Sequence, residues 1–334
     1  SMVTVYYMRR YVAFLQELLA EESGSVSISR EVGNWLVETA AALRELRPKL
    51  GEGPASAETR YALLVRLGEA ASRYRHTVYE QEGFSGTAQQ RLTDITAMLD
   101  DAHAAIDHSI RHNEREDGLY HAYNLLEVAP DAIGVERLYP MLEGQVAALS
   151  SGAVEPARAV ELLDALFESE MYRADLGTFM LYPDRELPGF LDKNRIPPDV
   201  LPSIPLLQQM LERGDDRIVL RDEDGTYRFN ADLSNSSDLN ARLDELAPVY
   251  GDEVRRAREP LLGLYEQVFD HRAFTGRSGT MFGFEGLGSV YWHMVSKLLL
   301  AVQESFFAAS SEGVDQKTCD RLGRLYYRVR EGLG

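Results

Sequence analysis

"YVAFLQELLAEESGSVSISREVGNWLVETAAALREL", Tyr11 to Leu46, places apolar residues three and four positions apart, at Tyr11, Phe14, Leu15, Leu18 and Leu19 and again at Val32, Trp35, Leu36, Ala40 and Leu43. That spacing puts each set on one face of a helix. The same period returns over Tyr61 to Tyr79 and Leu92 to Ile110. Gly/Pro/Ser punctuation, "GEGPAS" and "EGFSGT", separates the blocks, so helical hairpins are the expected architecture of the first hundred or so residues.

Beyond "REDGLYHAYNLLEVAPDAIG", where Asp117-Gly118 marks a turn ahead of an aromatic cluster, two further helices are expected in "LYPMLEGQVAALSSG" and "EPARAVELLDALFESEMY". Pro156 falls near the first turn of the second, where its missing N–H does no harm. The six prolines of "LGTFMLYPDRELPGFLDKNRIPPDVLPSIP" forbid a regular helix, and its aromatic content predicts an ordered loop. "RIVLRDEDGTYRFNADL" alternates around Asp224-Gly225 as a β-hairpin should, spanning about residues 217 to 230. Its DEDG lacks the other ligands of an EF-hand loop. Ser236 or Ser237 offers an N-cap to a long polar helix that leads to "LLGLYEQVFDHRAF", and "DQKTCDRLGRLYYRVREGLG" closes the chain as a last helix. No internal repeat of fixed length is visible. The expectation is one mainly helical domain over 1–334, with a soft division near 113–115 between helical hairpins and a site-bearing part.

The chain has 334 residues, 35 basic against 53 acidic, and a formal net charge of −18. Such a charge repels a polyanion, which argues against a nucleic-acid partner. Cys319 is the single cysteine, so neither an internal disulfide nor a zinc knuckle can form. No close His/carboxylate ligand pattern surrounds the seven histidines, and no metal or cofactor is expected. No uninterrupted apolar run exceeds the five residues of Leu298 to Val302, far short of the roughly 20 residues of a membrane span. A membrane partner is not expected. The opening Ser1-Met2 reads as an expression scar, so an export signal can have been removed, and a reducing, cytoplasmic location is only slightly favoured.

Three segments could carry chemistry. In "FTGRSGTMFGFEGLGSVYWHMVSKLLLAVQESFF", five glycines in thirteen residues run into a strongly apolar helix. If that helix begins near Glu285, then Glu285, Ser289, His293 and Lys297 form one stripe on a helix otherwise apolar enough to be buried. Glu285 would gain from the helix dipole, either as an acid/base group at a cavity rim or as a charge that merely caps. Neither a P-loop nor a dinucleotide fingerprint fits the glycines. In "NEREDGLYHAYNLL", Asp117, Tyr120, His121, Tyr123 and Asn124 are groups that stack on and hydrogen-bond a polyhydroxylated ligand; a helix-ending turn packed with aromatics reads equally from the same letters. In "LYPDRELPGFLDKNRIP", Asp184, Arg185, Glu186, Lys193, Asn194 and Arg195 crowd one proline-stiffened loop, as a site lining or as surface ion pairs.

"DGLYHAYN" and "FGFEGLGSVYWHMVSK", set among helical hairpins, resemble the loop and helix motifs of α/α-toroid, six-hairpin-type carbohydrate-active enzymes. From about Arg115 to the end the chain also resembles an internal segment of long uncharacterised bacterial proteins. The toroid resemblance implies antiparallel helical hairpins in a toroid-like or partial-toroid arrangement, with the β-hairpin as an insertion. It implies a glycoside hydrolase using two carboxylates, Asp117 and Glu285 with Asp184 in reserve, about 5 to 10 Å apart across a cleft. Tyr120, His121, Arg277, Trp292 and His293 would shape the sugar subsites, and Tyr123, Asn124, Arg185, Lys193 and Lys297 would add polar contacts to a carbohydrate. A noncatalytic carbohydrate-binding or interdomain module of a larger protein, with other domains as partners, and a helical interaction scaffold are the alternatives.

Overall fold

The computed structural model describes residues 1–184, 188–270 and 290–333. The chain divides into two compact units, Ser1–Asp184 with Gly286–Gly334, and Arg185–Glu285. Among the described residues it is mainly helical, with small two-stranded antiparallel sheets. No helix there is long and apolar enough to cross a membrane.

The first unit opens with α1 (Met2–Leu19), β1 (Ser25–Ser29), α2 (Arg30–Leu46), α3 (Ala57–Glu80), β2 (Thr87–Arg91) and α4 (Leu92–Arg111). Strands β1 and β2 pair antiparallel from Ser25↔Arg91 to Ser29↔Thr87. Helix α1 packs on α4, α2 on α3, and α2 on α4. This is a helix–strand–helix unit used twice: exchanging the two copies turns α1 on α4 into α3 on α2 and leaves the pairings unchanged. The repeat lies in the packing, which is why no fixed period appears in the sequence. Ser29 shows how a strand can run directly into a helix. Its extended backbone (φ −60°, ψ 146°) ends β1, while its side chain accepts the Val32 N–H and caps α2.

The short hairpin β3 (Asn124–Val128) and β4 (Ile133–Arg137) follows, then α5 (Leu142–Ser150) and α6 (Pro156–Glu168), with Pro156 in the first turn as expected. Nearly every residue of α5 is buried, because α1 and α11 (Trp292–Ser311) pack against it. Gly144 lets α5 lie close to the chain at Ala122: a Cβ there would stand 3.0 Å from the Ala122 backbone nitrogen and would force that backbone to give way. The small pair β5 (Tyr172–Arg173) and β6 (Thr178–Phe179) and the final helix α12 (Gln316–Glu331), which packs on α11 and α6, complete the unit. These pairings do not establish a toroid-like ring.

Helix α11 begins at Trp292 rather than near Glu285, which lies outside the described residues together with Ser289. Nor is it buried all round. Met294, Val295, Leu298, Ala301 and Val302 face the core, whereas Trp292, Leu300 and Phe307 are exposed.

The second unit holds α7 (Phe190–Lys193), α8 (Pro205–Glu212), the hairpin β7 (Val219–Arg221) and β8 (Tyr227–Phe229), α9 (Ser236–Tyr250) and α10 (Asp252–Phe269). It has its own apolar core, in which Leu206, Leu207, Phe229, Leu239, Leu243 and Leu261 are central. The hairpin stands where the alternation and Asp224-Gly225 put it, with Asp222 and Asp224 spent on the turn: both accept the Thr226 N–H, at 3.0 and 2.8 Å. The cap of α9 is Asn235, one residue before the expected serines, because its amide oxygen reaches both the Ser237 and Asp238 N–H groups, at 2.8 and 3.0 Å. The polar helix that follows is broken by Gly251, at φ +56°, into α9 and α10.

Candidate functional site

The aromatic run after α4 is brought together by buried side-chain amides. Asn113 donates to the Tyr6 hydroxyl and to the His121 carbonyl, each at 2.7 Å, and accepts from Asn124 at 2.9 Å. Gln145 of α5 accepts the Tyr120 N–H and donates to the Tyr120 carbonyl, both at 2.8 Å. The Tyr123 hydroxyl donates to Glu143 at 2.8 Å. Thus Tyr120, His121, Tyr123 and Asn124 occupy one short, fixed segment.

Asp117 sits in the turn ahead of them, closed by the Gly118 N–H to the Arg115 carbonyl (3.0 Å) with Gly118 at φ +77°. Arg115 grips its carboxylate with Nε to both oxygens at 3.0 Å and Nη2 to Oδ2 at 2.8 Å, and the Leu119 N–H adds a bond at 3.1 Å. Partial burial pushes this carboxyl up, but the Arg115 and Leu119 hydrogen bonds outweigh it and hold it below the usual aspartate range. Asp117 is therefore an ionised group that accepts hydrogen bonds, suited to a base or a binding role rather than to an acid.

Beside the turn, Arg158 donates to Glu114 at 2.6 Å and to the Gly118 carbonyl at 2.7 Å, and Tyr120 leans its hydroxyl toward Glu114 at 3.4 Å. Burial, aided by Glu114, raises the Tyr120 hydroxyl to about 12. Burial likewise lowers His121 to about 4, with Arg115 and Arg137 adding repulsion, so the imidazole is neutral near pH 7. Its Nδ1 is 3.2 Å from the Leu138 carbonyl, which requires the Nδ1–H tautomer there.

Next to this segment lies a cavity of about 240 Å³ whose polar lining includes Arg60, His108, His112, Asn113, Asn124 and Arg137. The Asn124 amide oxygen is buried without a hydrogen-bond partner among the described residues. His112 is lowered by burial and by His108, whose ring lies 4.5 Å away. Amide and guanidinium groups and imidazole rings, with His112 held neutral, can together bind a ligand rich in hydroxyls.

The other expected residues are placed as follows. Trp292, His293 and Lys297 are exposed on α11. Asp184 is exposed at the end of a described segment, and Lys193 is half-buried in α7. Arg185, Arg277 and Glu285 lie outside the described residues. Sequence reasoning missed Asn113, Glu114, Gln145 and Arg158. A lone amide inside the apolar window "MLEGQVAAL" is the signal that could have found Gln145.

Residues 187–272, inside the second unit, match the family model of the GH149 phosphorylase insertion domain 2. The match links the chain to a family of glycoside-active enzymes and to an internal segment of a larger protein. No curated protein matches the chain.

Proposed function

We propose that this chain is an interdomain module of a larger, glycoside phosphorylase-type protein, and that it binds an oligosaccharide without cleaving it. The insertion-domain match over 187–272 carries the reading. The state of Asp117 supports it. A carboxyl that acts as the acid in glycosidic cleavage must hold its proton near neutral pH, and Asp117 is held ionised by Arg115. The segment Tyr120, His121, Tyr123 and Asn124, with its adjoining cavity, supplies the sugar contacts, and Trp292, His293, Lys297, Lys193, Arg185 and Arg277 are candidates for further ones. A toroid-like catalytic domain would belong to the larger protein.

The catalytic alternative needs Asp117 and Glu285, or Asp184, about 5 to 10 Å apart across a cleft. One assay separates the readings: the purified chain is incubated with a panel of oligosaccharides, with and without inorganic phosphate, and followed by calorimetry and by release of sugar phosphate and reducing sugar. Binding without product supports the module. Product that Asp117→Asn or Glu285→Gln abolishes restores the enzyme. A folded chain that neither binds nor cleaves any member of the panel overturns both.

One observation favours an additional scaffold role. Tyr7, Tyr11, Phe14 and Leu18 stand exposed at helical spacing along α1, an apolar stripe of the kind that meets another protein surface. Concentration-dependent mass in solution, abolished by Phe14→Ser, would support it, and a strict monomer would remove self-association.

A further inference from the structure

Glu31, at the second position of α2, is only 5% exposed. Its Oε1 accepts the Ser85 N–H at 3.0 Å and the Ser85 hydroxyl as well, and these bonds hold the carboxyl low, hence charged. Its Oε2 is buried and has no hydrogen-bond partner among the described residues. Leaving a buried acceptor unpaired is costly, and more so for a charged one. The position asks for a donor that the described residues do not supply.

Glu31 lines a cavity of about 340 Å³ between α2 and α3. That lies near the lower end of small-molecule sites, roughly 300 to 1,000 Å³. Trp35 and Tyr74 form one wall, stacked at 5.0 Å with 18° between their planes, and Trp35 remains 39% exposed. Asn34, Thr77 and Gln81 contribute groups that both donate and accept. The lining charges cancel, Arg30 and Arg73 against Glu31 and Glu38, and Arg73 already pairs with Glu38 at 2.8 Å. Charge balance disfavours an anion or a cation, while a flat aromatic wall beside amides, a hydroxyl and one unpaired carboxylate oxygen suits a neutral ring with several hydroxyls.

We propose that the cavity between α2 and α3 is a sugar subsite, in which a ring hydroxyl donates to Glu31 Oε2 and the ring's apolar face rests against Trp35. The proposal rests on the carbohydrate reading above and adds a second place of contact, far along the chain from Tyr120–Asn124.

The chain's two tryptophans are Trp35 and Trp292, so in full-length Trp292→Phe protein the indole fluorescence reports Trp35 alone. Neutral oligosaccharides of glucose, mannose and galactose are titrated into it, with calorimetry in parallel on the parent. The expected result is a saturable fluorescence change, with affinity weakened roughly tenfold by Glu31→Gln, the loss of one charge-assisted hydrogen bond. The glutamine keeps an oxygen for Ser85, and Trp35→Ala, read by calorimetry, gives an independent weakening if Glu31→Gln fails to fold. Calorimetric binding that neither variant alters overturns this subsite and leaves the module reading standing. No binding to the parent by calorimetry, with no fluorescence change in the Trp292→Phe protein, overturns both.

Discussion

Gln145 and Tyr120 exchange two hydrogen bonds, the Tyr120 N–H to Oε1 and Nε2–H to the Tyr120 carbonyl, both at 2.8 Å. A side-chain amide thus pairs with a backbone as a neighbouring strand would. The same Nε2 also donates to the Met141 carbonyl at 2.9 Å. Gln145 is fully buried, so water cannot replace it. Gln145→Leu keeps the volume and strands both Tyr120 backbone groups, and should cost about 3 to 5 kcal/mol of stability. Denaturant melts measure it. A loss below about 1 kcal/mol would show that the segment is held by something else.

His121 predicts a pH dependence. Its folded pKa is about 4 against an ordinary 6.5, so between these values the unfolded chain binds more protons than the folded one. Stability from this group is therefore complete above pH 6.5 and falls as the pH drops toward 4. The loss should be on the order of 2 kcal/mol, because the imidazole is not wholly cut off from solvent. His121→Gln should flatten that part of the stability curve, and an NMR titration of the parent should find the ring neutral at pH 5. A midpoint near the ordinary value would sink the prediction.

The helices were legible because their signal is local. Tyr11 to Leu19 and Val32 to Leu43 repeat at the helical period, and Asp224-Gly225 announces its own hairpin. Strands β1 and β2 were not, because "SVSIS" and "TAQQR" pair across about sixty residues of chain: Val26 and Ile28 alternate with serines over only five residues, and "TAQQR" has no apolar alternation to answer them. The aromatic run Tyr120 to Asn124 was visible as a group. Its supports, Gln145 and Arg158, come from later helices, as Ser85 comes to Glu31 from another loop. Chemistry assembled from distant segments leaves no spacing to read. The same limit applied to Asp117, whose bidentate partner Arg115 is only two residues away but whose grip depends on the turn geometry.

In the second unit Asn194 plays the part of Gln145. It donates to the Phe229 carbonyl at 2.8 Å and accepts the Phe229 N–H at 2.9 Å, tying the proline-rich segment to β8. Phe229 in turn meets the Tyr265 ring edge-on at 4.9 Å, and Tyr265 donates its hydroxyl to the Leu233 carbonyl at 2.6 Å. Asn194 is buried, so Asn194→Leu leaves two Phe229 backbone groups without partners and should cost about 2 to 4 kcal/mol. Because this unit has its own core, the loss should appear by hydrogen exchange as faster opening of amides in β8 and α10, including Phe229, with those of α5 and α11 unchanged. Equal loss of protection across α5 and α11 would mean that the two units unfold together, and the unit matched over 187–272 would not be an independent cooperative element.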